Sequence, residues 1–106
     1  SIVFAPDKAN EEDVQLTSLK IGSNKLFPVF NAGTYEYMVN TSNASSKIEA
    51  VAKRAGAVVT IKNGETPVNN GESASFVDGE NTLSITVSFA GVEKEYIVTV
   101  NKSAAA

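Results

Sequence analysis

An all-β sandwich is the fold that this 106-residue sequence predicts. Three observations predict it. Leu83, Ile85, Val87 and Phe89 alternate with Thr82, Ser84, Thr86 and Ser88, a period of two with one apolar face and one hydroxyl face. Six or seven such short runs are separated by turn signals rich in glycine, asparagine and proline. No window of ten or more residues carries helical periodicity, and the charged window from Asp7 to Val14 is long enough for one turn only. A closed barrel is the alternative arrangement.

The elements follow in order. Ser1 to Asp13 is read as a linker or the end of a preceding domain, with Ile2-Val3-Phe4 either that end or a short added strand, and Pro6 as the stop of any ladder. Val14 to Ile21 is the first strand. Leu16 is out of phase with Leu19 and Ile21, and a bulge near Thr17-Ser18 reconciles them. Gly22-Ser23-Asn24 turns the chain. Leu26 to Phe30 contains Pro28, which lacks an N–H, so this segment is an edge or a crossing loop. Tyr35, Tyr37 and Val39 mark a second strand. Thr41 to Ser46 is a polar loop. Lys47 to Lys53 and Ala57 to Lys62 are the third and fourth strands, and Asn63-Gly64 is a hairpin turn. Pro67 limits the run that follows, and Ser73 to Val77 is a fifth strand around Phe76. Asp78-Gly79 leads into the last hairpin. Ser103 to Ala106 is a disordered tail or linker.

The last hairpin has a predicted register. Its two apolar faces coincide only if paired residue numbers sum to an odd value. A two-residue Gly91-Val92 loop pairs Val87 with Tyr96 and Ile85 with Val98, and glycine at the first loop position suits a type II′ turn. A four-residue loop from Gly91 to Lys94 pairs Phe89 with Tyr96 instead.

Composition bounds the function. The chain is 42% hydrophobic, enough for one packed core and too much for a disordered segment. A net charge of −3 without a basic face argues against nucleic acid and a membrane surface as partners. No apolar run reaches the length of a membrane span. The first residues, Ser1-Ile-Val, suggest a piece of something larger, with any signal or anchor elsewhere.

Histidine and cysteine are both absent, so neither a Ser-His-Asp triad nor a thiolate or imidazole metal site is available. Glu93 and Glu95 share one face of the last strand, and paired carboxylates are the groups of glycosidases. The alternative is that they flank Lys94 at an exposed turn as solvated charges. Tryptophan, the best ring for stacking on a sugar, is also absent. Tyr35, Tyr37 and Tyr96 fall on apolar faces, which predicts core positions with hydroxyls at the rim. Phe27 is out of phase with its neighbours and is expected to be exposed. Asn40-Thr-Ser42 and Asn43-Ala-Ser45 match the N-glycosylation acceptor pattern. Glu11-Glu12-Asp13, with Asp7 and Asn10 nearby, is the one acidic cluster. Calcium needs six to eight oxygen ligands, and adjacent residues of an extended chain point opposite ways. Solvated linker charges are the expected role, so no catalytic, cofactor or metal residue is assigned.

The order Leu16-x-x-Leu19-x-Ile21, Leu26-x-Pro28-x-Phe30, Tyr35-x-Tyr37-x-Val39 resembles the cadherin-like β-sandwich domain family of bacterial secreted and surface proteins. The likeness continues through Ala57-x-Val59-x-Ile61, Gly79-x-Asn81-x-Leu83-x-Ile85-x-Val87 and Tyr96-x-Val98-x-Val100, and covers about Val14 to Lys102. The family usually places Asp-Gly between its last two strands, where this chain has Ala90-Gly91. The resemblance implies an immunoglobulin-like sandwich of about seven short antiparallel strands over 14–102. It also implies a non-catalytic accessory or spacer module of an extracellular multidomain protein, such as an adhesin or a polysaccharide-degrading enzyme. Expected partners are neighbouring domains of the same polypeptide, with the isolated domain monomeric. A module binding a glycan or a protein through loops or a sheet edge is the alternative. Exposed rings converging in a groove favour binding; a uniformly polar surface favours the spacer.

Overall fold

The computed structural model describes residues 10–104. The sequence readings for Ile2-Val3-Phe4, Pro6 and Asp7, and the end of the tail at 105–106, lie outside the described residues. Among the described residues, eight strands form two sheets packed face to face. They are β1 (Leu16–Ile21), β2 (Glu36–Thr41), β3 (Ser45–Ala52), β4 (Val58–Asn63), β5 (Thr66–Val68), β6 (Ser73–Ser75), β7 (Gly79–Phe89) and β8 (Val92–Lys102). One sheet has the order β1-β3-β6 and the other β2-β8-β7-β4-β5. The architecture is an open sandwich, not a closed barrel.

The alternating residues account for the core. Leu83, Ile85, Val87, Tyr96, Val98 and Val100 face inward from the large sheet, against Leu16, Leu19, Ile21, Ile48 and Ala50 from the small one. Leu16 and Leu19 both reach that core because β1 is irregular between Leu16 and Ser18, which shifts the side-chain phase as a bulge does. The first strand starts at Leu16 rather than Val14. A single 3-10 turn over Glu11–Val14 precedes it and buries Val14. That turn is fixed by reciprocal capping, with the Asp13 N–H donating to Asn10 Oδ1 and the Asn10 N–H donating to Asp13 Oδ2.

Between β1 and β2 the chain crosses from the small sheet to the large one. Leu26 turns inward, and the Phe27 N–H donates to the Met38 carbonyl at 2.9 Å while the Met38 N–H donates back at 2.7 Å. This segment around Pro28 is the crossing loop. The third strand begins two residues earlier than expected, at Ser45, because its first residues pair with β6.

Several expectations are corrected. The sandwich is not wholly antiparallel: β2 runs parallel to β8, from Glu36 opposite Ile97 to Thr41 opposite Lys102. A period of two is blind to strand direction, and β2 follows a crossing loop, so no hairpin dictates its sense. The strand beyond the seven expected is β5, three residues with Pro67 on the sheet edge, where a missing N–H costs no ladder bond. The turn before it is centred on Gly64 and Glu65, with Gly64 at φ 60°, and Asn63 is the last residue of β4, opposite Thr66.

The register of the last hairpin is also corrected. Phe89 pairs with Val92, Ile85 with Tyr96 and Leu83 with Val98. The loop is Ala90-Gly91, with φ of 49° and 81°. Two consecutive positive φ values belong to a type I′ turn, whose twist matches the flanking strands. The odd-sum condition holds, but slipping by two residues preserves both faces, so alternation alone could not select this register.

Candidate functional site

The outer face of the large sheet carries a groove of about 490 Å³. Its floor is built by register. Thr60 of β4 lies opposite Thr86 of β7, which lies opposite Glu95 of β8. The next row runs Lys62, Ser84, Ile97. Thr82 and Glu93 extend the surface, and Gly64 and Glu65 close one side from the β4–β5 turn. Each of these strand residues is the outward partner of a buried one, so the same alternation that makes the core makes the groove.

Glu93 and Glu95 therefore stand together, as their spacing predicts, with Cα atoms roughly 7 Å apart along the strand. Both are exposed. Ser84 Oγ donates to Glu95 Oε2. Among the described residues, Lys62 has no carboxylate within salt-bridge distance. The groove offers hydroxyl donors and acceptors with charges of both signs, open to water along its length. Among the described residues, no aromatic ring lines it.

The rings are gathered elsewhere. Tyr35 and Tyr96 have centroids 4.7 Å apart, and Phe30 lies 5.9 Å from Tyr37 and 6.4 Å from Tyr96. Tyr37 and Tyr96 are buried, and Tyr35 is half-buried with Lys94 Nζ 4.9 Å from its ring centroid. The hydroxyl of Tyr96 is not at the rim. It accepts from the Leu16 N–H at 2.9 Å and donates to the Ala32 carbonyl at 2.6 Å. Burial pushes the Tyr96 phenol up to about 12, and burial likewise raises that of Tyr35. Phe27 is exposed as expected, at 48%, with Lys25 Nζ 5.7 Å from its ring centroid. A shallower concavity of about 350 Å³ lies nearby, where Leu19, Leu26, Val29 and Phe30 meet Lys20 and Lys25.

The acidic cluster is dispersed by its own turn. Asp13 caps the 3-10 turn and sits 3.9 Å from Arg54, and Glu11 Oε1 accepts from the Tyr35 hydroxyl at 3.1 Å. Among the described residues, no three or more acidic side chains are grouped to hold a metal ion. Asn40 and Asn43, the two acceptor asparagines, are exposed beside the β2–β3 loop.

Two asparagines have roles that the sequence reading missed. Asn81 is buried and acts as a piece of backbone. Its Oδ1 accepts from the Val77 N–H at 2.9 Å, and its Nδ2 donates to the carbonyls of Val77, Gly79 and Val100. It thereby fastens the turn before β7, which gives Gly79-x-Asn81 a physical reason. Asn70 does the same at the edge of β3, bonding both the N–H and the carbonyl of Ala50. The signal was an asparagine in phase with the apolar face, at position 81 beside Leu83. Neither a scan against protein-family models nor a search of curated proteins gives a match for this chain.

Proposed function

We propose that this chain is a non-catalytic accessory module of the cadherin-like, immunoglobulin-like kind, which spaces neighbouring domains of a secreted bacterial multidomain protein. The carrying observation is the placement of the two ends of the sandwich. The turn Glu11–Val14 lies at the Ala90-Gly91 end, because Asp13 pairs with Arg54 and Arg54 stacks on Phe89 at 4.7 Å. The last strand leaves at the opposite end, where Lys102 lies opposite Gly79 and pairs with Asp78. From Phe89 to Gly79 is ten strand steps, about 33 Å. A chain that comes in at one end and leaves at the other holds its neighbours apart. The clustering of four aromatic rings, Tyr37 and Tyr96 buried and Phe30 and Tyr35 half-buried, supports the same reading, since among the described residues few rings are left to stack on a sugar. Among the described residues, no helix is long and apolar enough to cross a membrane.

The test is made in the parent polypeptide. Deleting the module lowers the parent's activity or adhesion, and an unrelated rigid domain of equal length restores it. Failure of that replacement, with the fold of the hybrid intact, contradicts the spacer reading. A second reading, a glycan-binding module, is supported by the hydroxyl-lined groove. Calorimetric titration with cell-surface polysaccharides distinguishes the two: heat that vanishes in Thr60→Arg favours the glycan, and no heat favours the spacer.

A further inference from the structure

We propose that the sandwich is a clamp against tension, in which a pull along the polypeptide shears whole ladders of hydrogen bonds at once instead of peeling them singly. The inference deepens the spacer reading and rests on it for its use, since a spacer between anchored neighbours transmits their tension. The directions of the terminal strands carry it. β8 runs toward the end at Lys102 and is pulled from that end. β2 runs parallel to it, in register over six residue pairs from Glu36–Ile97 to Thr41–Lys102. When tension arrives from the N-terminal side, β2 is pulled from its Glu36 end while β8 is pulled from its Lys102 end. The two strands then slide in opposite senses along their own axes. The bonds between them, bracketed by Ile97 N–H to the Tyr35 carbonyl and Ser103 N–H to the Thr41 carbonyl, both 2.8 Å, share the load together. A ladder breaks at low force only when it is opened from one end, each bond in turn carrying the whole load.

The remaining attachments have the same sense. β1 runs from Leu16, beside the capped turn, toward Ile21, antiparallel to β3. Tension on Leu16 therefore draws β1 along its axis and shears that pairing too. β8 cannot escape sideways, because it lies between β2 and β7 in the middle of the large sheet. The Tyr96 hydroxyl ties the start of β1 and the approach to β2 to the same strand, through Leu16 and Ala32. Both terminal strands thus meet resistance across their full paired length, a property of topology and not of any one side chain.

The natural sequence has no cysteine, so two introduced cysteines define a pulling axis. Glu12→Cys with Ala104→Cys loads the opposite ends; Asn43→Cys with Ala104→Cys loads one end, because Ser103 and Asn43 both bond to Thr41. All three positions are exposed. Single-molecule pulling at one loading rate is expected to give a several-fold higher unfolding force for the first pair than for the second. Urea midpoints that agree between the two proteins show that both carry the same fold. Equal forces, or a higher force for the second pair, overturn the clamp. The separation of labels on the unloaded first pair keeps the two ideas apart: equal forces at a separation of about 33 Å or more overturn the clamp alone, and a much shorter separation overturns the spacer with it.

Discussion

The hydroxyl of Tyr96, on the last strand, accepts the main-chain N–H of Leu16, on the first, at 2.9 Å across the two sheets. The same oxygen donates to the carbonyl of Ala32, so one side chain satisfies two backbone groups that no sheet ladder reaches. Tyr96→Phe keeps the ring and removes both bonds. It is expected to cost about 1–3 kcal/mol, the penalty for a buried polar group left unpaired. Urea melts check it. The same phenol makes stability pH-dependent. Its folded pKa, about 12, lies above the ordinary 10, mainly through burial. The contribution is whole below pH 10 and is lost as pH rises from 10 through about 12, because the unfolded chain ionises first. In Tyr96→Phe most of that alkaline slope disappears, leaving the part due to Tyr35.

Ile85 and Val98 are fully buried on neighbouring strands, and Ser84 projects from the other face of β7. Ile85→Ala is expected to cost about 2–5 kcal/mol through the cavity it leaves. Ser84→Ala removes only an exposed bond to Glu95 and is expected to stay within about 0.5 kcal/mol. Equal losses in urea melts contradict the assignment of the two faces.

Ala90 is the one non-glycine residue with positive φ among those described, at 49°. The left-handed region crowds its Cβ against the following carbonyl, and asparagine tolerates that region better. Ala90→Asn is expected to raise stability by about 0.5–1 kcal/mol and to leave the hairpin register unchanged. Ala90→Val, at the same exposed position, is expected to lower it. A stabilising valine contradicts the type I′ turn.

Removal of calcium is expected to change nothing. The carboxylate of Asp13 is committed to the Asn10 N–H and lies near Arg54, and Glu11 holds the Tyr35 hydroxyl. A bound ion at a hundred times its dissociation constant adds about 2.7 kcal/mol. Thermal melts in millimolar calcium and in chelator are therefore expected to overlay. A rise with calcium that chelator reverses contradicts this, and deletion of the residues before Val14 tells whether the site lies there.

The alternation of Leu83, Ile85 and Val87 with Thr82, Ser84 and Thr86 made two things legible: the core and the hydroxyl face that became the groove. The bulge between Leu16 and Ser18 was legible because an apolar residue out of phase needs an extra residue to reach the same core. Strand direction and register were not. The pattern of Tyr37 and Val39 is the same whether β2 runs parallel or antiparallel to β8, and a slip of two residues in the last hairpin moves no side chain to the other face. The turn decided that register, through two positive φ values at Ala90 and Gly91, and alanine carries no signal for such a conformation. The roles of Tyr96 and Asn81 depend on which distant backbone groups lack partners, which only the assembled sandwich defines. The groove was half legible: Glu93, Glu95 and the hydroxyls of β7 are read from period two, but Thr60 and Lys62 join them only through the β4–β7 register.

The separation of the two ends is the most direct test of the spacer account. Spin labels on Glu12→Cys and Ala104→Cys, both exposed, report it by pulsed dipolar spectroscopy. A single narrow distance at or above about 33 Å, the length of ten strand steps, is the predicted result. A distance near half that value, which places both ends of the chain on one side of the sandwich, would contradict the account.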